Sequence, residues 1–147
     1  MGGHIWYYFV AYQPDIHKAL QELRQREFKA GRYNPVMDFP EFPVTPDSPS
    51  PGAQHDSIEE ALEASEADGT RSILDMMQIG ETSDFSTVVP LTGEQLIELY
   101  GTQQPTRQMI EENMDFFAEI DRGAGVYTTA YKDGKPAEIF FAGISFD

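Results

Sequence analysis

The chain has 147 residues, of which 40% are hydrophobic and 12% aromatic; it contains no cysteine, and its formal net charge is -15. This length and composition are typical of one folded domain, and the absence of cysteine excludes disulfides, thiolate catalysis and cysteine-ligated metal centres. The negative charge repels phosphate groups, which argues against nucleic acids and membranes as partners, and a cysteine-free chain favours a cytoplasmic location.

The N-terminal part of the chain predicts a strand followed by a helix. Residues 5–12 form a continuous β-branched and aromatic run that is too short for a buried helix and is followed by Pro14, as expected for a central strand. Asp15 can then act as an N-cap. The apolar residues that follow recur with a period of about 3.6 and predict a helix that ends at Gly31.

A long proline-rich loop is predicted over residues 35–52, because prolines remove the backbone donors that helices and central strands need. Four prolines recur at every third residue, the period of polyproline II, and they are Pro40, Pro43, Pro46 and Pro49. One interpretation is a ligand for a proline-recognising domain, although no basic residue flanks the segment. We favour the alternative, in which Phe39 and Phe42 press into the domain and the prolines stiffen a loop that wraps it.

The middle of the chain predicts two capped helices and a strand between them. Ser57 and Thr92 each open a capping box, in which a hydroxyl residue is followed three positions later by Glu or Gln. We expect the first helix to end near Gly69 and the second near Gly101, because glycine is a common helix C-terminal residue. The apolar residues over 71–79 predict a strand that is covered on at least one side.

Further elements are predicted toward the C-terminus. Residues 87–89 predict a short strand, and a longer helix is expected over about 105–121. Two stretches that alternate with period two, 125–131 and 137–146, flank an Asp-Gly turn at 133–134 and predict a β-hairpin with a type I′ turn.

Together these elements predict an α+β fold in a single domain that spans residues 1–147. Their order is not a regular alternation of strands and helices, so we expect a mostly antiparallel sheet of four to five strands, with the helices packed on one face. Aromatic side chains at both ends of the chain exceed what one sheet face needs. We therefore expect the Pro-rich loop and a second subunit, in a homodimer, to cover the other face.

Sequence motifs for well-known chemistries are absent. The chain has no P-loop, dinucleotide-binding glycine triad, zincin motif, EF-hand or Gly-x-Ser-x-Gly elbow. No two of the three histidines have a metal-ligand spacing, and they are His4, His17 and His55. Acidic runs at 59–68 and 111–121 are typical of solvated helix faces. We therefore expect no metal and no cofactor, and we favour a protein that is not an enzyme.

A few polar side chains are candidates for ligand binding. Arg32 and Tyr33 lie where the first helix meets the Pro-rich loop, a position suited to an anionic or nucleotide-like ligand. His55, at the far end of the loop, is the first choice for a general base. Arg71 shares a predicted strand face with Asp75, so ion pairing between them is the structural alternative. The candidate ligand-binding residues are Arg32, Tyr33, His55, Arg71, Tyr127 and Glu138, of which the last two belong to the final hairpin.

Two functions of different classes are compatible with these patterns. The first is a small acidic binding or accessory protein that acts through protein-protein contacts, as an immunity protein or an antitoxin does; the charge and the absence of catalytic motifs favour it. The alternative is an enzyme or sensor that binds a small nucleotide or phosphorylated ligand in a pocket under the Pro-rich loop. Convergence of the candidate residues on one cleft would favour this alternative.

Overall fold

The computed structural model describes residues 3–37 and 47–146, and its elements confirm the α+β fold class. The strands are β1 (Ile5–Ala11), β2 (Gln78–Ile79), β3 (Thr87–Pro90), β4 (Gly125–Lys132) and β5 (Lys135–Ile144). The α-helices are α1 (Ile16–Ala30), α2 (Ile58–Ala64), α3 (Gly93–Tyr100) and α4 (Arg107–Glu112), and 3₁₀ helices follow α2 at Ile73–Asp75 and α4 at Asp115–Glu119. None of the helices formed by the described residues is long and apolar enough to cross a membrane.

The five strands form one sheet in the order β1-β5-β4-β3-β2. β5 pairs antiparallel with β1 and β4, whereas β3 pairs parallel with β4 and β2. The predicted number of strands is confirmed. The sheet is mixed, because α3 and α4 form a crossover connection from β3 to the parallel strand β4. The predicted hairpin turn between β4 and β5 is present, with positive φ angles of 53° at Asp133 and 75° at Gly134.

One face of the sheet packs against α1, α2 and the first 3₁₀ helix. Trp6 and Tyr8 from β1 are fully buried there, together with Ile139 and Phe141 from β5. The apolar stripe of α1 covers them, as the period of the sequence predicts, and the helix ends at Gly31 in a left-handed conformation. This face holds the larger hydrophobic core of the protein.

The opposite face of the sheet is covered by α3, α4 and the second 3₁₀ helix. Phe9 of β1 and Phe140 of β5 lie there with ring centroids 4.7 Å apart, and Phe116 packs edge-on against Phe140. The prediction that the helices pack on one face is wrong, because neighbouring residues of a strand point to opposite faces and both Phe140 and Phe141 are fully buried. The chain's own helices thus cover the aromatic face for which a loop and a second subunit were expected.

The prediction of a strand over 71–79 is wrong for most of its length, because the first 3₁₀ helix occupies the middle of this segment. Ser72 accepts a hydrogen bond from the backbone N–H of Leu74 at 3.2 Å and so caps the first 3₁₀ helix. Arg71, immediately before it, has a φ of 56°, which an extended strand does not allow. Only Gln78–Ile79 at the end of the predicted segment joins the sheet.

The predicted helix over 105–121 is divided at Asn113. The side chain of Asn113 accepts a hydrogen bond from the backbone N–H of Asp115 at 3.0 Å and donates one to the carbonyl of Leu99 at 2.9 Å. These contacts fasten the end of α4 to α3 and compete with the hydrogen bonds of a continuous helix. A short 3₁₀ helix follows instead.

The described end of the proline-rich segment packs against the C-terminal end of α1. The backbone N–H of Gly52 donates to the carbonyl of Ala30 at 2.9 Å, and Arg32 Nε donates to the carbonyl of Ser48 at 3.2 Å. Three of the four periodic prolines lie outside the described residues, and they are Pro40, Pro43 and Pro46. The same holds for Phe39 and Phe42, the two aromatic residues that we expected to press into the domain. Both interpretations of the periodic prolines therefore stay predictions.

Candidate functional site

A cleft of about 410 Å³ opens between α2, the connection from β2 to β3, and the segment after β5. Its walls are mostly apolar, and two carboxylates line it. The lining residues include Leu62, Glu66, Asp75, Met77, Phe85 and Phe146. We call it the α2 cleft.

Asp75 is the buried carboxylate of the α2 cleft, with 7% of the residue exposed. It ends the first 3₁₀ helix, and Thr70 donates to its Oδ1 from both the backbone N–H, at 2.8 Å, and the hydroxyl, at 2.7 Å. Asp75 Oδ2 accepts no hydrogen bond from the described residues. One oxygen of the carboxylate is therefore held in place, while the other keeps its capacity to accept a donor.

The charge of Asp75 is incompletely compensated within the protein. Burial raises the pKa of the Asp75 carboxyl, against the hydrogen bonds from Thr70 and the nearby backbone N–H of Arg71, which lower it. Arg24 of α1 lies near enough to favour the charged carboxylate, but it donates hydrogen bonds to Gln21, to the carbonyl of Leu74 and to Sδ of Met77, and it forms no ion pair with Asp75. A buried anion that lacks a direct cationic partner is costly, and such sites are often functional.

Met77 and Phe85 form an exposed apolar rim at the α2 cleft, with 50% and 58% of each residue accessible to solvent. The ring centroid of Phe85 lies 5.5 Å from that of Phe146. Gly69, which has a φ of 75°, leaves room for the ring of Phe146 at this position, because a Cβ there would lie 2.6 Å from that ring and 3.1 Å from Asp75 Oδ2. Exposed methionine and aromatic side chains beside a cleft are typical of protein-binding surfaces.

The surroundings of the α2 cleft are acidic. Glu59 and Glu63 of α2 are exposed. In the sequence between Arg32 and Arg107, which contains all of the cleft except Phe146, the only lysine or arginine is Arg71. Arg24 of α1 also reaches this region and donates a hydrogen bond at 3.4 Å to Sδ of Met77. A concentrated negative surface of this kind attracts cations and basic proteins and speeds their association.

Three of the six residues that the sequence suggested for ligand binding lie together at the C-terminal end of α1. The hydroxyl of Tyr33 lies 2.8 Å from Nδ1 of His55 and accepts a hydrogen bond from the backbone N–H of Gln54 at 3.3 Å. Arg32 forms an ion pair with the fully buried Glu27 at 3.0 Å. Because these polar groups bind one another, the cluster joins the end of the loop to the end of the helix.

The other three suggested residues are placed separately. Arg71 precedes the first 3₁₀ helix. Tyr127 packs on the α1 side of the sheet, and burial raises its pKa. Glu138 forms an ion pair at 2.9 Å with Arg107 of α4, the helix that covers the opposite face. The structure therefore does not bring the six residues into one site.

Sequence reasoning considered Asp75 only as an ion-pair partner on a strand and missed its place in a cleft. A signal for the correct local structure was present, because hydroxyl residues such as Thr70 and Ser72 before an apolar run are typical of a helix N-terminus. The exposed positions of Met77 and Phe85 had no such signal, since apolar side chains are expected in cores.

The described ranges, 3–37 and 47–146, contain no group of three or more His, Asp or Glu side chains that could hold a metal ion. Comparison with protein-family models, with curated proteins and with solved structures finds no match to this chain. The chemistry of the α2 cleft is consequently inferred from its geometry and charge alone.

Proposed function

We propose that this chain is a small acidic binding protein, not an enzyme, and that it recognises a basic segment of a partner protein at the α2 cleft. The observation that carries this function is the exposed apolar rim of Met77 and Phe85 beside the cleft. A binding surface needs apolar anchors that lose water on contact, and methionine and aromatic side chains commonly supply them. An immunity protein or an antitoxin would act in this way.

The charge around the rim indicates the chemistry of the partner. The formal net charge is -15, and α2 exposes Glu59 and Glu63 close to the lining residue Glu66. A partner with lysine and arginine beside apolar residues complements such a surface, because opposite charges steer the encounter and apolar contacts hold the complex. A cytoplasmic location belongs to the same proposal and rests on the cysteine-free sequence.

The alternative, an enzyme or sensor with a pocket for a nucleotide or phosphorylated ligand under the Pro-rich loop, has less support. Arg32 already pairs with Glu27, and the Tyr33 hydroxyl already contacts His55. A phosphate group would have to displace these contacts and enter a negative field. We therefore place the ligand at the α2 cleft.

Self-association stays a separate prediction. The aromatic face that suggested it is covered by α3 and α4, so another surface must carry it. The outer edge of β1 is available in the described sheet, because β1 pairs only with β5 and its sequence from Ile5 to Ala11 has no charge and no proline. Uncharged edge strands pair readily with a second copy.

Isothermal titration with a short peptide of alternating arginine and leucine tests the proposed function. The Phe85→Ser variant is expected to bind at least about tenfold more weakly, because an interface anchor of this kind contributes roughly 1.4 kcal/mol or more. The matched control is Ile97→Ser, since Ile97 is 52% exposed but lies on α3, away from the cleft. Equal weakening by both substitutions, or no binding by the unmodified protein, would refute binding at the α2 cleft.

A further inference from the structure

We infer that Asp75 is the anchor for a guanidinium group that enters the α2 cleft. This inference deepens the proposed function and rests on it, because it names the partner residue, arginine, that the cleft selects. The observation behind it is independent of the rim: Oδ2 of a residue that is 7% exposed accepts no hydrogen bond from the described residues. Buried polar atoms almost always have a partner, so an exception next to a cleft points to a ligand.

The hydrogen bonds that Asp75 already accepts restrict what that ligand can be. Thr70 occupies Oδ1 with two hydrogen bonds and thereby orients the carboxylate. The unoccupied oxygen requires a hydrogen-bond donor, and the negative charge favours a cationic one. Neutral donors would leave the charge uncompensated, and anions would be repelled.

The walls of the cleft favour guanidinium over a simple ammonium ion. Phe85 and Phe146 present aromatic rings, and Leu62 and Met77 present aliphatic surface. Guanidinium is planar, weakly hydrated and stacks on aromatic faces, whereas ammonium is a compact and strongly hydrated charge. The aliphatic stem of an arginine can lie along the apolar wall while its head reaches Glu66 and, once the side chains around Asp75 move aside, the enclosed Oδ2 of that residue.

The size of the cleft suits this occupant. Its volume of about 410 Å³ lies within the range of roughly 300–1,000 Å³ that is usual for small-molecule sites. One arginine side chain therefore enters with room for its neighbours in a peptide. A free small molecule that carries a guanidinium group presents the same chemistry, and the experiment must separate these two sources.

Agmatine and N-carbamoylputrescine provide the direct test, because they differ only in a guanidinium group and a neutral ureido group. Binding is measured by calorimetry and by amide chemical shifts of Gly69 and Ser86. We expect agmatine to bind at least about tenfold more tightly than the ureido compound, and Asp75→Asn to abolish that preference. Asparagine keeps an oxygen for Thr70, and Asp68→Asn is the control, since Asp68 is exposed and is not among the residues that line the cleft.

The outcomes separate the two proposals. Equal affinity for agmatine and its ureido analogue, or an agmatine preference that survives Asp75→Asn, overturns the anchor. If the arginine-leucine peptide still binds in either case, the proposed function stands without the anchor. If agmatine binds through Asp75 but the peptide does not, the ligand is a small molecule and the proposed function fails. Should Asp75→Asn not fold, the amide shifts of the unmodified protein decide the matter, because agmatine must move Gly69 and Ser86 more than the ureido compound does if it binds at Asp75.

Discussion

The hydroxyl of Thr70 donates a 2.7 Å hydrogen bond to Oδ1 of Asp75, and the backbone N–H of the same threonine donates a second at 2.8 Å. Both donors come from the turn that connects α2 to the first 3₁₀ helix. A short stretch of chain thus supplies a buried carboxylate and the groups that orient it.

Asp75→Asn is expected to change how stability depends on pH. Burial raises the pKa of Asp75 in the folded protein, so its contribution to stability is complete below the unfolded-state pKa and is lost as pH rises through the folded-state pKa. Asparagine does not titrate. The free energy of unfolding of the variant, relative to that of the unmodified protein, should therefore be higher at neutral pH than near pH 3, which is below the ordinary Asp pKa of about 3.9. Urea unfolding at both pH values measures this difference, and the same difference for Asp68→Asn would contradict it.

Tyr33→Phe is expected to destabilise the protein by about 1 kcal/mol, because Gln54 and His55 lose their partner on a fully buried side chain. Chemical denaturation gives the free energy of unfolding. Tyr12→Phe is the control, since Tyr12 is 39% exposed. Unchanged stability of Tyr33→Phe would mean that the Tyr33 hydroxyl does not stabilise the loop end.

Gly69→Ala is expected to destabilise the protein more than Gly134→Ala. Both glycines have a φ of 75°, so alanine costs roughly 1–2 kcal/mol of backbone energy at either position. Only at Gly69 would the new methyl group also meet the Phe146 ring, at 2.6 Å, whereas nothing lies within 4 Å at Gly134. Equal losses in thermal unfolding would show that Phe146 does not pack on Gly69.

Ile5→Lys tests self-association along β1. Sedimentation velocity of the unmodified protein is expected to show a dimer at high concentration, and the substitution should shift it to monomer, because a lysine at an edge strand opposes pairing. Ile97→Lys carries the same charge on another exposed isoleucine and should leave the dimer intact. A monomer at every concentration of the unmodified protein would rule out this interface.

The elements with strong local signals were predictable from the sequence. Ser57 and Thr92 cap α2 and α3, with the complete capping box formed at Thr92 only, because the Glu60 side chain binds the backbone N–H of Asp56. The Asp133–Gly134 turn joins β4 to β5, and in each case neighbouring residues alone determine the hydrogen bonds. The break at Asn113 was not predictable. It depends on a contact with Leu99 in another helix, which no local pattern encodes.

The candidate site was harder to predict than the fold, for a related reason. Asp75 becomes a buried carboxylate of a cleft only when α2, the β2 to β3 connection and Phe146 come together around it. The sequence favoured Arg32, Tyr33 and His55, and the structure does bring these together, but with their polar atoms directed at the protein's own groups. Polar residue type alone does not distinguish a binding residue from one that holds a loop.

Amide chemical-shift mapping of the ¹⁵N-labelled protein with the arginine-leucine peptide tests binding at the α2 cleft most directly. We predict that the largest shifts cluster at Gly69, Met77, Phe85 and Ser86, with small changes along α3 and α4. Shifts spread evenly over the exposed carboxylates, or centred on His55, would contradict recognition at the α2 cleft.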